Sequence, residues 1–415
     1  MTGTIAERPA HEAAELPGFP MSRGGCPFDP PPPLAQLREE RPIGRVTLFD
    51  GSTPWLITRH ADVRAVLSDP RISSDFRREG FPMISPARFR GAQAGPPSFI
   101  SLDDPEHSRL RKMLISDFTV RSTEALRPMV AEIVEELLDA MAAGPQPVDL
   151  VTAFTLPLPS MVICRLLGVP YSDHELFQRL SAQLLNLDTD PEVAMRAAAE
   201  LRDYLRSLVE AELAAPEPGE ALLGKLVVRR VRTGELTVDE AVAMGLLLLV
   251  AGHETTANQL ALGTLTLLQY PEQAEVLRTT DDPAVVARAV EELLRLLTIV
   301  HRARVRVAVE DLEVDGVLIR AGEGVLVSNE SANRDPAAFE NPDTLDIHRS
   351  ARHHVAFGFG VHQCLGQPLA RLELQVAYPA LLRRFPNLKV AAEIDDLTFR
   401  STNVVYGVSA LPVTM

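Results

Sequence analysis

Phe357-Gly358-Phe359-Gly360-Val361-His362-Gln363-Cys364-Leu365-Gly366-Gln367-Pro368-Leu369-Ala370-Arg371 is a glycine-rich turn with a single cysteine, running into an amphipathic helical stretch. Gly358, Gly360 and Gly366 let the backbone pass close to something bulky and flat. Cys364 falls where the helix begins, and the unpaired amides and dipole of a helix start favour a thiolate. A thiolate left open on one side is a soft metal ligand. The plain alternative is a small cysteine packed in a turn, the usual fate of a lone thiol. A pattern this long at fixed spacing argues against it.

The rest of the chain sets bounds. It has 415 residues, 46% hydrophobic and 23% charged, an ordinary globular balance. Its 41 Lys and Arg against 56 Asp and Glu leave a net charge of -15. That speaks against generic binding to nucleic acid or anionic membranes. Cys26, Cys164 and Cys364 are too few for a disulfide framework and fit a reducing compartment. No secretory signal is visible, and the longest apolar run, Ala241 to Gly252, is too short to span a bilayer. A soluble, cytoplasmic protein without a membrane anchor is expected.

Residues 1–33 are rich in Pro, Gly and Ala and read as an extended arm on the surface. Arg45–Phe49 and Trp55–Thr58, joined by Asp50-Gly51-Ser52, read as a β-hairpin, followed by a short helix over Asp62–Ser68. Phe81–Phe99 holds four Pro, two Gly and no sustained apolar period, which predicts a long irregular loop of functional weight. Gly80, Gly91 and Gly95 are its candidate hinges. Helical periods run over Ser122–Ala143, Pro159–Leu167, His174–Leu187, Pro191–Ala215 and Leu236–Gln269, with two more between Pro271 and Leu297. Short strands are expected at Val305–Val309, Leu312–Glu313, Val317–Ile319, Gly324–Val327, Leu388–Val390 and Val404–Val408. No repeat or linker divides the chain, so residues 1–415 are expected to form one domain.

The long central helix starts on a capping box, Thr237-Val238-Asp239-Glu240, ends at Pro271, and should measure about 50 Å. In its middle stands Ala251-Gly252-His253-Glu254-Thr255-Thr256, an acid and two hydroxyls in an otherwise apolar run. Gly252 is costly mid-helix and suggests that something presses on the backbone there. Thr255 can bond back to a carbonyl and distort the helix. Further on, Glu292 and Arg295 face one way, three residues apart, among Leu293, Leu294, Leu296 and Leu297, so part of the pair should be buried.

Together these segments resemble the cytochrome P450 family. Residues 357–371 match F-G-x-G-x-H-x-C-x-G-x-x-L-A-R at every fixed position, residues 251–256 match [A/G]-G-x-[D/E]-T-[T/S], and Glu292/Arg295 match E-x-x-R. The likeness extends from about Phe19 to Val408 and is nearest to soluble actinobacterial, streptomycete-type members. It implies a mainly α fold, a triangular prism with a smaller β-rich region. It implies haem b held by Cys364 in a loop including Phe357, Gly358, His362 and Gly366. Propionates would be met by His107, Arg111, Arg306 and His362, with Arg302 and Arg304 as rivals to Arg306. Thr255 would steady bound O2 and Glu254 would link it to solvent protons. Glu292, Arg295 and, as third partner, Arg349 would be structural.

The implied activity is hydroxylation by a haem-thiolate monooxygenase, with electrons from a ferredoxin and ferredoxin reductase. No fused reductase is expected, and Lys112, Arg352 and Arg371 are candidates to meet an acidic partner. Rival readings are epoxidation, ring coupling or peroxide-driven oxidation, and, outside enzymes, a haem-based ligand sensor. The positions expected to line the pocket are Phe81, Met83, Ile84, Phe89, Leu248, Ala251, Ile299, Val300 and Val404 with its neighbours Asn403 and Val405. They are mostly apolar, so a bulky hydrophobic small molecule is the expected substrate.

Overall fold

The computed structural model of the chain describes residues 16–86 and 96–415. Helices dominate it. α1 (Pro33–Glu40) and α2 (His60–Ser68) lie among the first strands. Then come α3 (Glu106–Ile115), α4 (Val120–Glu124), α5 (Arg127–Ala143), α6 (Pro157–Leu167), α7 (His174–Leu185), α8 (Pro191–Ala214) and α9 (Leu222–Leu226). The central helix is α10 (Val238–Gln269), followed by α11 (Pro271–Thr279), α12 (Pro283–Leu297), α13 (Asn329–Ala332) and α14 (Gln367–Arg384).

α10 is 32 residues long, about 48 Å. Its capping box forms: Glu240 N donates to Thr237 Oγ1 at 3.1 Å, and Thr237 N donates to Glu240 Oε2 at 2.8 Å. A helix apolar on every side must be wrapped by others. Residues 256–267 are buried all round, and the helix as a whole packs against α6, α8 and α14. Pro271 cannot continue the ladder, so the helix stops at Gln269.

The strands β1 (Ile43–Arg45), β2 (Trp55–Ile57), β3 (Ile72–Ser73), β5 (Arg304–Ala308) and β8 (Gly324–Val327) form one sheet, ordered β1-β2-β8-β5-β3. Only β2 and β8 run parallel. β4 (Val148–Asp149), β10 (Pro412–Thr414) and β9 (Lys389–Val390) form a second sheet in that order, and β6 (Leu312–Val314) pairs with β7 (Val317–Ile319).

Several expectations shift. The predicted Ser122–Ala143 helix divides between Glu124 and Arg127, because Pro128 needs the first turn of a new helix. The hairpin's first strand is Ile43–Arg45, and the chain beyond it continues only through single bonds, Val46 N to Pro54 O and Leu48 N to Ser52 O. Val404–Val408 is not a strand. Val405 bridges Val300 and Val408 bridges Phe399, so the segment serves two partners and builds no ladder. The N-terminal arm is more than surface: Phe19 and Met21 enter a core cluster, and buried Arg23 pairs with buried Glu330 at 3.1 Å.

Candidate active site

Cys364 precedes α14 in a loop shaped by two left-handed glycines, Gly358 (φ +74) and Gly360 (φ +73). Side chains would strain both positions. The Cys364 amide donates to Phe357 O at 2.9 Å, closing the loop back on its start. Gly360 packs against the Leu67 backbone at the end of α2, whereas no atom lies within 4 Å of a Cβ built at Gly366. So of the three glycines, Gly366 is the one that leaves open space. Burial pushes the Cys364 thiol up, opposed by Arg304, the Gly366 amide, Arg111 and Arg371. Helix-start position alone therefore does not make the thiolate here; coordination to a metal would deprotonate it outright.

Basic side chains from separate elements gather around this loop. Arg111 of α3 donates to Gln363 O at 2.6 Å, and the His107 ring lies 4.1 Å from that of His362. β5 alternates, so Arg304 and Arg306 share one face of the sheet. Burial lowers the Arg304 guanidinium, which the nearby Cys364 offsets, and burial followed by Arg304 lowers Arg306 to about 10. Arg302 turns elsewhere, donating to the carbonyls of Met21 and Ser401. Among the described residues no carboxylate pairs with Arg111, Arg304 or Arg306.

Two histidines, His107 and His362, stand among these arginines. Burial lowers both: His107 despite Asp104, and His362 to about 3, with Arg306 next to it adding to the effect. An imidazole without charge carries one N–H: at His107 that proton faces Asp104 through Nδ1 at 3.3 Å, and at His362 Nε2 lies 2.6 Å from Ser74 Oγ. His107 Nε2 and His362 Nδ1 are buried without a protein partner, as is Arg304 Nε. Buried polar atoms of this kind are rare and call for a partner, an acceptor in the case of the guanidinium N–H. A group carrying carboxylates, with a metal facing Cys364, fits this donor set, and haem is such a group. Arg304 was missed as more than a rival; the period of two along the strand was the signal.

Above the middle of α10 the wrapping opens. Ala251 is exposed and Leu247 and Thr255 are half-buried, a stripe at i, i+4 and i+8, with Leu246, Val250 and Gly252 half-buried beside it. Thr255 Oγ1 donates back to Ala251 O at 2.7 Å, and the chain stays helical through this point. Gly252 does mark a close approach: a Cβ there would lie 2.8 Å from Ile163 of α6. The neighbour pressing on it is helix packing. Glu254 is only 3% exposed and is held by Arg400 Nη1 at 3.2 Å. Arg400 lies 146 residues away, and no local pattern announces it.

The expected pocket residues scatter. Leu248, Ile84 and Ile299 are buried, while Phe81, Met83, Val300 and Val404 are half-buried. Val300 and Val404 are brought together through the Val300–Val405 bridge. The start of the Phe81–Phe99 loop is pinned: Gly80 packs backbone to backbone on Gly322, and Pro82 packs on Gly324. Gly80 is therefore no free hinge. Phe89, Gly91 and Gly95 lie outside the described residues.

Beneath the loop, Glu292 and Arg295 of α12 form a doubly hydrogen-bonded pair at 2.8 Å, both fully buried, and Arg349 Nε reaches Glu292 Oε1 at 3.0 Å. Next to them Glu291 takes Arg371 at 2.6 and 3.0 Å, with His354 Nε2 at 3.3 Å. Arg371 is thus engaged internally, whereas Lys112 and Arg352 are exposed. Burial alone would raise the Glu291 carboxyl, but His354 and Arg371 outweigh it and bring it from 4.5 down to about 2. A depressed carboxyl stabilises the fold fully above its unfolded value, and that stability drains as pH falls from 4.5 towards 2. Glu291 should contribute about 3 kcal/mol across that window. Urea unfolding of Glu291→Gln should show a correspondingly flatter pH dependence than wild type; an equal slope would exclude the effect.

Comparison with known proteins adds to this geometry. The Cytochrome P450 family model matches residues 45–406. "Cytochrome P450 GfsF" of Streptomyces halstedii is 50% identical over 417 residues, with all of both chains covered. Its crystal structure superposes with a TM-score of 0.89 over 96% of this chain and 100% of that one. "Vitamin D3 dihydroxylase" of Streptomyces griseolus is 50% identical over 97% of this chain and 98% of its own length. The crystal structure of mycinamicin VIII C21 methyl hydroxylase MycCI from Micromonospora griseorubida, bound to mycinamicin VIII, reaches a TM-score of 0.91 at 43% identity, covering 96% and 100%.

Proposed function

The chain belongs to the cytochrome P450 family and is a monooxygenase, and from that premise we propose that it hydroxylates a bulky, largely apolar natural product. Haem held by Cys364 would supply the oxidising chemistry, using O2 to place one oxygen atom on an unreactive C–H carbon. Cys364 Sγ would be the protein's ligand to the metal. Arg111, Arg304 and Arg306 would hold the carboxylates by charge, with His362 donating from Nδ1 when its Nε2 accepts from Ser74 Oγ, and His107 donating from Nε2 when a carboxylate there draws a second proton onto its ring. The observation that carries the monooxygenase reading at this site is the buried acid beside an open hydroxyl, Glu254 and Thr255, halfway along α10. A protein that only senses a ligand has no use for that pair. Thr255 would hold a proton at its Oγ1 above the site, and Glu254 would renew it from solvent.

The substrate class rests on the apolar character of Leu248, Ala251, Ile299, Val300 and Val404, and on relatives named for vitamin D3 and mycinamicin VIII. A macrolide, terpenoid or steroid-like skeleton fits such walls. Phe81, Met83 and Ile84 would add contacts from the described start of the loop, and Phe89 from beyond it. Electrons would come from a ferredoxin and its reductase, with Lys112 and Arg352 offered to an acidic partner. No helix among the described residues is long and apolar enough to cross a membrane, and the three cysteines are free, which suits the reducing cytoplasm.

The test is a Soret-shift screen of macrolides, terpenoids and steroids, followed by turnover with surrogate ferredoxin, reductase and NADPH. A shifting compound should gain one oxygen. Thr255→Ala should keep haem content and binding while product per NADPH falls at least ~10-fold. Shifts without product in the wild type, across several ferredoxins, would mark a binding protein instead.

A further inference from the structure

Glu254 and Thr255 are neighbours in sequence but not in direction, because successive residues on a helix point about 100° apart. The carboxylate is caged on the far side. Arg400 Nη1 donates to Oε2 at 3.2 Å, and Asn258 Nδ2 lies 3.4 Å from the same oxygen while donating to Glu254 O at 2.6 Å. His253 Nε2 stands 3.8 Å from Oε1. That ring is fully buried; its Nδ1 donates to Leu249 O at 2.7 Å, and its Nε2 has no hydrogen-bond partner. Of the cage, Arg400 alone reaches outward, with 20% of its side chain exposed.

Arg400 stands on a turn, residues 399–408, that meets α10, the end of α7 and the segment after α12. Arg400 N donates to Gly407 O at 2.8 Å, and Gly407 packs so closely on Asn258 of α10 that no Cβ would fit. The same turn bonds the end of α7, with Val404 N on Leu185 O at 2.8 Å and Leu187 N on Thr402 O at 3.0 Å. It bonds the segment after α12, with Tyr406 N on Ile299 O at 2.7 Å and His301 Nε2 on Asn403 O at 2.7 Å.

We propose that Arg400 is a positioning residue for Glu254, tying the carboxylate to the 399–408 turn so that seating of the pocket walls sets where the acid stands. This rests on the reading of Glu254 as the group that renews the proton near Thr255. Without the guanidinium the carboxylate keeps only an amide and an imidazole beside it and loses its fixed position. A displacement of about 1 Å is enough to cost on the order of 100-fold in a positioned step.

The experiment uses the haem-loaded enzyme with surrogate ferredoxin, reductase and NADPH, and dioxygen itself as the probe, with no organic substrate. NADPH electrons then leave either as peroxide, by two electrons and two protons, or as water, by four of each. Arg400→Gln and Glu254→Gln should each raise the peroxide-to-water ratio about 10-fold, and Arg400→Lys should return it to within about twofold of wild type. Independently, amide exchange of residues 400–407 should quicken in both Gln variants, because each removes one end of the same tether. A Glu254→Gln ratio equal to wild type would overturn the reading of Glu254 and this inference with it. A changed Glu254→Gln with an unchanged Arg400→Gln, or exchange of the turn unaltered in either, would overturn the role of Arg400 alone.

Discussion

Cys364→His is expected to abolish the strongly red-shifted Soret band that the ferrous carbonyl form of a thiolate haem displays. The loss should be complete, since no other thiol can substitute. Cys164 is buried in α6 with its thiol pushed up to about 12 by burial, and Cys26 sits exposed in the N-terminal arm. The loop around Cys364 depends on Gly358, Gly360 and the Phe357 carbonyl, none of which the substitution removes. Far-ultraviolet circular dichroism should therefore remain native while the spectral signature disappears. A variant that kept the red-shifted band would show that the ligand lies elsewhere.

Arg295→Met is expected to destabilise the fold by about 3–5 kcal/mol, much of a typical total of roughly 5–15. Glu292 would stay fully buried with only Arg349 and the Asp346 amide, at 3.0 and 3.1 Å, to meet its charge. Arg295 also donates to Asn333 O and Pro342 O at 2.8 and 2.7 Å. Asn333 in turn accepts the Val355 amide at 2.8 Å, and Gly358 N donates to Val355 O at 2.8 Å. Loss of Arg295 thus loosens the entry to the cysteine loop, and haem retention on gel filtration should fall with stability. The double variant Glu292→Met/Arg295→Met should be more stable than Arg295→Met, because it removes the stranded charge rather than exposing it to a dry interior. A urea midpoint for Arg295→Met corresponding to less than about 1 kcal/mol would mean that the pair is solvated, contrary to its burial.

Much was legible because it is local. The capping box of α10 and the strands Val317–Ile319 and Gly324–Val327 are short-range patterns, and the structure has each where it was read. The cysteine loop is equally local: its glycines require a left-handed backbone whatever surrounds them. One boundary moved for a local reason, Pro128 within Ser122–Ala143, and another because its partners lie outside the segment. Val404–Val408 has the composition of a strand, but Val300 and Phe399 each take a single residue of it.

The sequence by itself determined the family, the mainly helical class, the cysteine, the acid–hydroxyl pair and the Glu292/Arg295 motif, since each is a fixed spacing along one element. Only the tertiary structure decided which charges are paired and which are left open. Arg371 belongs to Glu291, Arg302 to two carbonyls, and Arg304 joins Arg306 at the cysteine. Only the fold could reveal that burial disfavours the charged forms of His107 and His362, because desolvation is a property of the surroundings and not of the residue. Arg400 reaches Glu254 across 146 residues, a distance over which no periodicity in the chain carries information. Spacing along a helix or strand is written in the sequence, whereas burial and long-range pairing exist only once the chain has closed on itself.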